Sequence, residues 1–156
     1  MNQNNETMLT PHFSLREMTA SRSHKEVWNH PNDYQIDNLI RVCQWLELLR
    51  ERYNLYYPRE DGREQPIKIN SGFRSPMLNR AVGGQVDSNH LTGCAVDIRC
   101  EDCKQAVRYA AILIEIFDEH KKDWDEIILE RNRTKFWLHF AVRKEGNRRK
   151  VTCVSV

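Results

Sequence analysis

The sequence predicts an α+β fold in which helices flank a small antiparallel sheet. Two long segments carry apolar residues at helical spacing, and several short segments alternate apolar and polar residues in the manner of strands. A chain of 156 residues suits one domain with a single core, and neither an internal repeat nor a linker divides it. We therefore expect a polar, disordered tail over residues 1–10 and one domain over residues 11–156.

Two helices are expected in the first half of the chain. The longer one begins after Asn32 or Asp33, either of which can cap it, and runs to about Tyr53. Its apolar stripe consists of Ile36, Leu39, Ile40, Cys43 and Leu46. The shorter helix begins at Ser75-Pro76, a favourable N-cap and first-turn pair, and ends before Gly83.

The remaining elements are one helix and several short strands. Ile67 and Ile69 alternate with polar neighbours and predict a strand that leads into a turn at Ser71-Gly72. Residues 95–98 predict a second strand, and a third helix is expected over residues 102–120. The apolar face of that helix would consist of Ala106, Ala110, Leu113 and Phe117. Strands near residues 125–130, 136–142 and 150–154 would complete the sheet.

The segment that carries the most chemical information holds His90 and Asp97 seven positions apart, with small residues between them. A second histidine, His139, follows far downstream in an apolar segment. Two imidazoles and one carboxylate are a suitable ligand set for a catalytic zinc, with the fourth tetrahedral position open to water. The alternative is that both histidines are simply packed and hydrogen-bonded. Gly93, between the two motif residues, marks a turn that needs a positive φ before the strand.

Three separated motifs in this chain resemble the signature of the zinc D-alanyl-D-alanine peptidases, which share a fold with the hedgehog signalling domain. The pattern Ser-x-His-x-x-Gly-x-Ala-x-Asp covers residues 88–97, a Ser-Gly-aromatic-Arg-Ser segment covers residues 71–75, and Trp-x-His covers residues 137–139. Residues 12–18 are similar to the start of the small phage-type and bacterial members. The resemblance runs from about residue 11 to about residue 143. It implies that His90, Asp97 and His139 bind zinc.

The resemblance also implies roles for two residues beside the metal. Arg74 matches an arginine that helps to bind the substrate near the scissile bond, and its guanidinium fork can hold a carboxylate through two hydrogen bonds. Ser88 is a candidate for a hydrogen bond to the substrate or to a group behind the metal ligands. The alternative for both residues is an ordinary position in a surface loop.

The general base has several candidates. Many relatives carry an acidic residue three positions before the last histidine, where this chain has Phe136. Residues 125–130 resemble a segment of the small phage-type members that places the base at Glu130. An even-numbered loop between the last two antiparallel strands would pair Glu130 with Trp137, on the face of His139, and we predict that loop. A three-residue loop would reverse the face and move the assignment to Asp123, Asp125 or Glu126.

Composition and charge limit the other possibilities. A net charge of +2 does not imply strong binding to nucleic acid. Five basic residues near the end are expected to form a solvated turn, with weak attraction to anionic wall polymer or phosphate as the alternative: Arg143, Lys144, Arg148, Arg149 and Lys150. The sequence contains no run of ~18 apolar residues, so no membrane span is predicted. The first seven residues lack the features of a secretory signal, so we expect synthesis in the cytoplasm, with a wall substrate reached by lysis or dedicated export.

The five cysteines form an odd set, which argues against a complete disulfide framework and for a reducing compartment. Cys100 and Cys103 form a C-x-x-C pair, for which redox activity or a second metal site is possible. Because no second such pair exists, free structural thiols are favoured.

We therefore predict a monomeric zinc metallopeptidase that hydrolyses peptidoglycan peptides containing D-amino acids, as a D-Ala-D-Ala carboxypeptidase or as an endopeptidase. The alternative is a non-catalytic phage structural or wall-binding module that keeps the fold and the metal. The departure at Phe136 supports that alternative.

Overall fold

A five-stranded sheet organises the computed structural model, which describes residues 6–156. The helices are α1 (Leu15–Thr19), α2 (Asp33–Tyr56), α3 (Pro76–Ala81) and α4 (Cys103–Glu119), and a 3-10 helix covers Asn89–Thr92. The strands are β1 (Met8–Thr10), β2 (Phe13–Ser14), β3 (Ile69–Ser71), β4 (Ala95–Cys100), β5 (Glu126–Arg131), β6 (Phe136–Ala141) and β7 (Lys150–Ser155). The α+β class predicted from the sequence is confirmed.

The two faces of the sheet have different environments. Val96 and Ile98 of β4 and Leu138 and Phe140 of β6 are buried in the core, against α2 and α4. Because side chains alternate along a strand, the residues between them project from the opposite face. Asp97 is one of these residues, so the face away from the helices carries the polar side chains described below.

Helix α2 begins as the sequence predicts. The Asn32 side chain accepts a hydrogen bond from the backbone N–H of Gln35, whose side chain in turn accepts from the Asn32 backbone. The helix continues one turn past Tyr53. Its buried face is also displaced from the predicted stripe, because Ile36 and Ile40 lie at its margin. The buried positions are Asn38, Leu39, Val42, Cys43, Leu46, Leu49 and Tyr53.

Helix α4 agrees with the prediction in its limits and in its apolar face. The Asp102 side chain caps it by accepting from the backbone N–H of Gln105. All four residues that the sequence analysis assigned to its apolar face are buried: Ala106, Ala110, Leu113 and Phe117.

The strand order is β3-β4-β6-β5-β7, and β7 pairs with β5 in parallel. The prediction of a fully antiparallel sheet is therefore wrong at this edge. The reason is geometric. Strand β6 ends opposite Glu126, where β5 begins, and the short connection over residues 142–149 delivers β7 to that same end. A strand that starts there must run in the direction of β5.

The N-terminal segment also differs from the prediction. Residues 1–5 of the expected tail lie outside the described residues, but Met8–Thr10 form β1 and pair with β2. Glu47 of α2 holds this pair, since its carboxylate accepts hydrogen bonds from the Thr10 hydroxyl and the His12 backbone N–H, each at 2.8 Å. Between residues 6 and 156, no helix combines the length and apolar character needed to cross a membrane.

Candidate active site

Three of the predicted site residues converge on the polar face of the sheet. His90 comes from the 3-10 helix, Asp97 from β4 and His139 from β6, and Asp97 and His139 are direct partners across the two strands. The Asp97 Oδ1 atom lies 3.0 Å from His139 Nδ1 and 3.2 Å from His90 Nε2. The three side chains are buried. The arrangement therefore brings two imidazole nitrogens and one carboxylate oxygen together in a largely buried cluster.

The orientation of His90 is fixed from behind. Its Nδ1 lies 2.6 Å from the carbonyl oxygen of Gly72, which can only accept, so Nδ1 carries the proton and donates. Nε2 therefore carries no proton, and its lone pair faces Asp97. This is the second contact that metal-binding histidines usually make.

The turn that presents His90 depends on its two ends. The Ser88 hydroxyl accepts from the His90 backbone N–H at 3.3 Å and so caps the 3-10 helix. Gly93 ends the helix with a φ of 74°, as the sequence predicts. A Cβ atom at Gly93 would also lie 2.5 Å from the carbonyl oxygen of Gln35. Both the left-handed φ and the close approach of α2 therefore require glycine at this position.

The geometry of the cluster suits a tetrahedral zinc ion. Ligand atoms at about 2.0–2.1 Å from zinc lie about 3.3–3.4 Å from each other. The two measured separations of 3.0 and 3.2 Å are close to that value, and all the ligand atoms lie within 4.8 Å of one another. Two imidazole nitrogens and one carboxylate also form a donor set that zinc prefers, and zinc displaces the proton of a histidine that it binds. The residues fit this metal.

The protonation of the cluster reflects mutual stabilisation. Burial would raise the pKa of Asp97, but the charges and hydrogen bonds of His90 and His139 hold that pKa well below its ordinary value. Burial lowers the pKa of His90. For His139 burial acts in the same direction, but the hydrogen bond with Asp97 and the nearby Glu126 carboxylate raise its pKa to about 9. Asp97 is therefore a carboxylate at neutral pH, as a metal ligand must be.

Glu126 contacts the nitrogen of His139 that points away from Asp97. Its Oε2 atom lies 3.5 Å from His139 Nε2, which is buried and has no hydrogen-bond partner among residues 6–156. The contact with His139 lowers the pKa of Glu126 to about 2, against the opposing effect of burial and with support from Arg148 and Lys150. A carboxylate behind a histidine ligand is a common arrangement in zinc sites. From the sequence, Glu126 was predicted only as an alternative candidate for the general base.

Glu130 lies on the same face of β5 as Glu126. A four-residue loop over residues 132–135 joins β5 to β6, and Glu130 pairs with Trp137. The predicted even-numbered loop and its register are confirmed. Burial raises the pKa of Glu130, and the negative charge of Asp97 adds to this effect. Two carboxylates four residues apart on one strand thus have pKa values displaced in opposite directions, which is how acid and base roles are commonly separated.

Arg74 is tied to the cluster of His90, Asp97 and His139 rather than free in a loop. Its Nη2 donates to Asp97 Oδ2 at 2.6 Å and its Nε donates to the Ser71 hydroxyl at 2.9 Å. Its backbone N–H also donates to the carbonyl oxygen of His90 at 3.1 Å. Asp97 can therefore offer Oδ1 to a metal while Oδ2 remains held by the guanidinium.

A cleft of about 620 Å³ opens above the cluster. Its walls include every residue that the sequence analysis assigned to the site: Arg74, Ser88, His90, Asp97, Glu130 and His139. Glu126 lies in the same walls. The other two candidate bases do not, because Asp123 is exposed and pairs with Arg149, while Asp125 is fully buried and is bound by Arg148.

The late basic residues differ from the predicted solvated turn. Arg148 makes two hydrogen bonds of 2.8 Å to the carboxylate of Asp125, and Arg143 lies 3.1 Å from the same carboxylate. Arg149 instead lies over the Trp124 ring and pairs with Asp118 and Asp123. The sequence could not show these contacts, because Asp125 looks like an ordinary exposed residue at the start of a strand.

The C-x-x-C pair lies away from these contacts, at the junction of β4 and α4. Cys100 is buried and its thiol donates to the carbonyl oxygen of Ile98, and burial raises its pKa to about 12. Cys103 is exposed, and both residues are free thiols.

Comparison with known proteins identifies one family. The sequence model of the family described as Peptidase M15 matches residues 11–119. The match includes Arg74, His90 and Asp97, whereas Glu130 and His139 follow it in the chain. No curated protein matches the chain. The last part of the site is therefore supported by the pairing of β4, β6 and β5.

Proposed function

Because this chain belongs to the peptidase M15 family, we propose that it is a zinc-dependent hydrolase of bacterial cell-wall peptides that contain D-amino acids. The family accounts for the metallopeptidase activity. The single observation that carries the zinc assignment is the convergence of His90 Nε2, Asp97 Oδ1 and His139 Nδ1 at the base of the cleft. The substrate assignment rests on the resemblance to the D-alanyl-D-alanine peptidases.

His90, Asp97 and His139 are the proposed ligands. When bound, zinc would act as a Lewis acid that acidifies a water molecule and polarises the scissile carbonyl. With Nδ1 of His139 used as the ligand atom, Nε2 carries the proton and points to Glu126. Glu126 would then fix the orientation of the ring and make the imidazole a better donor of electron density.

Glu130 is the proposed general base. Its position on the cleft face of β5 allows its carboxylate to take a proton from the attacking water and to return it to the nitrogen of the leaving amine. The raised pKa of Glu130 supports this role, because the same group must first accept and later release a proton. Glu126 is less suitable, since its carboxylate is already paired with His139, Arg148 and Lys150.

Arg74 is proposed to orient Asp97 and to bind the substrate near the scissile bond. The hydrogen bond to Asp97 Oδ2 supports the first role, and the position of Arg74 in the cleft wall supports the second. Ser88 caps the 3-10 helix through its hydroxyl and lies in the same wall, so it can also contact the substrate.

Metal analysis combined with turnover of purified peptidoglycan peptides tests the proposal. We expect about one zinc per chain, and loss of both zinc and turnover in His90→Ala and His139→Ala. Glu130→Gln should keep zinc and lose about 10²-fold or more in turnover. Glu51→Gln, on the exposed side of α2, is the matched control and should behave as the unaltered protein.

Two results would contradict the proposal. Full turnover after removal of the metal would exclude zinc catalysis. Zinc binding without any turnover of cell-wall peptides would instead favour the wall-binding module that keeps the fold.

A further inference from the structure

A buried carboxylate holds two arginines at the edge of the cleft. Asp125, whose side chain is 0% exposed, accepts hydrogen bonds from Arg148 Nε and Nη2, each at 2.8 Å, and from Asn89 Nδ2 at 2.7 Å. Arg143 Nη2 lies 3.1 Å from the same carboxylate, and Arg143 Nε donates to Asn89 Oδ1 at 2.8 Å. Asn89 directly precedes His90, so this network is continuous with the segment that carries a proposed zinc ligand.

The network fixes both guanidinium groups. A buried carboxylate without cationic partners would be strongly unfavourable, so the fold holds the arginines in place whenever Asp125 is ionised. The positive partners hold the pKa of Asp125 below its ordinary value, against the opposing effect of burial. The arginines are thus positioned before any ligand arrives, and a ligand does not have to order them.

Each arginine keeps one guanidinium nitrogen without a partner among the described residues. In neither side chain does Nη1 make a hydrogen bond to any of residues 6–156. The Arg143 and Arg148 side chains are 36% and 49% exposed, and both line the cleft of the zinc-ligand cluster. One guanidinium nitrogen of each arginine is thus left without a partner among these residues, in side chains that line the cleft, although Arg143 also borders two neighbouring pockets.

The charges of this wall limit the kind of ligand that it can bind. Lys150 also lines it, with its Nζ 3.3 Å from Glu126. Asp87 lies in the same wall and also acts on Arg148, so the three cations face the three carboxylates of Asp87, Asp125 and Glu126. A wall with balanced charges suits a single carboxylate held by directed hydrogen bonds better than a polyanion, and the Nη1 group of each arginine can donate to one oxygen of that carboxylate.

The position of the pair separates it from Arg74. Arg74 follows β3 at one edge of the sheet, whereas Arg148 precedes β7 at the other edge, and β4, β6 and β5 lie between. Arg148 reaches the cluster through Glu126, whose Oε1 lies 3.1 Å from Arg148 Nη2 while its Oε2 faces His139. A group bound by Arg143 and Arg148 would therefore belong to a different part of the substrate from the group bound by Arg74.

We propose that Arg143 and Arg148 form a second anchoring site, which binds a carboxylate of the substrate on the β7 side of the zinc-ligand cluster. This inference rests on the proposed function and narrows it to peptides that carry a carboxylate apart from the group that Arg74 binds. That carboxylate can belong to an acidic side chain or to the free C-terminus of the peptide.

Matched peptides test the proposal with the zinc-loaded protein. One cell-wall peptide is compared with a version whose acidic side chain is converted to the amide, and with a version whose C-terminus is amidated. We expect one conversion to lower kcat/KM by about tenfold to 100-fold, since a hydrogen-bonded charge is lost, and that conversion identifies the carboxylate. Calorimetric binding of the same peptides to the Glu130→Gln variant provides a second readout and should show the same ranking.

Variants assign the effect to the arginines. Arg148→Lys and Arg143→Lys keep the charge beside Asp125 but lose the Nη1 donor that remains for the substrate. The ratio of kcat/KM for the acid to kcat/KM for its amide should therefore fall towards one. Arg149→Gln is the matched control and should keep the full preference, because Arg149 pairs with Asp118 and Asp123. Thermal unfolding checks that each variant is folded, and a variant that is not folded leaves the decision to the comparison of peptides in the unaltered protein.

The outcomes separate this inference from the function on which it rests. Equal turnover of the acid and both amides would overturn the anchoring site and leave the proposed function intact. Full preference in the Arg148→Lys and Arg143→Lys variants would also overturn it. No hydrolysis of any peptide by the zinc-loaded protein would overturn the proposed function, and the anchoring site with it.

Discussion

Replacing Gly93 by alanine should destabilise the protein and disturb the zinc-ligand cluster. Two effects add at this position. The φ of 74° lies in the left-handed region, which costs an alanine about 1–2 kcal/mol. The new Cβ would also lie 2.5 Å from the carbonyl oxygen of Gln35, so the 3-10 helix and α2 must move apart. Overpacking of this kind costs about 1–3 kcal/mol, and the sum is about 2–5 kcal/mol.

Gly62 provides the matched control. It has a φ of 71°, but no atom lies within 4 Å of the position that a Cβ would occupy. Gly62→Ala should therefore carry only the conformational cost of about 1–2 kcal/mol. The difference between the two variants isolates the contact with α2. Because that contact holds the turn of His90, Gly93→Ala should also weaken zinc binding, whereas Gly62→Ala should not.

Denaturant unfolding of the metal-free protein measures the free energies of unfolding, and competition with a chromophoric chelator measures the zinc affinity. Equal destabilisation by the two substitutions would refute the reasoning, since it would mean that the turn yields without cost. Unchanged zinc affinity in Gly93→Ala would show that the position of His90 does not depend on this contact.

Three further predictions concern single side chains. Glu126→Gln should weaken zinc binding by about tenfold to 100-fold in chelator competition, and unchanged affinity would exclude Glu126 as the group that orients His139. Arg74→Lys should lower turnover of cell-wall peptides with zinc content intact, and equal kinetics would remove Arg74 from substrate binding. Glu47→Gln should lower the free energy of unfolding at pH 7 by about 1 kcal/mol, since Glu47 binds Thr10 and His12. Those hydrogen bonds overcome burial and lower the pKa of Glu47, so its contribution is present above the ordinary value of 4.5 and is lost as the pH falls through the lowered pKa. A difference between Glu47→Gln and the unaltered protein that persists unchanged in acid would contradict this origin.

Local patterns were sufficient for most elements after residue 30 and for the residues that the sequence assigned to the site. The face of β5 on which Glu130 lies follows from the number of residues in the loop between β5 and β6. An even number pairs Glu130 with Trp137 and places it on the face of His139, as observed. The limits of α4 follow from the cap at Asp102 and from the apolar spacing after it. Gly93 was predicted to adopt a positive φ from its place between a turn and a strand, and it does.

Long-range contacts were not accessible in the same way. Strand β1 depends on Glu47, 37 residues after Thr10, and no pattern in the first ten residues indicates that partner. The direction of β7 depends on strand order, which alternation does not determine. The burial of Asp125 depends on Arg143 and Arg148. In the sequence these two arginines stand among other charged residues, and nothing distinguishes them as partners of Asp125. In each case, the deciding contact joins segments that carry no shared sequence signal.

The direct pairing of Asp97 with His139 links the metal site to the folding equilibrium. These residues are 42 positions apart and meet only when β4 and β6 are hydrogen-bonded. Zinc bound there would therefore recognise the native chain and not the unfolded one, and it would close the intervening segment as a cross-link does. Free zinc at roughly 100 times its dissociation constant would then add about 2.7 kcal/mol to the free energy of unfolding. The melting temperature of this protein should accordingly rise with the free zinc concentration, so the metal supply of its surroundings would determine how long the chain survives as well as whether it is active.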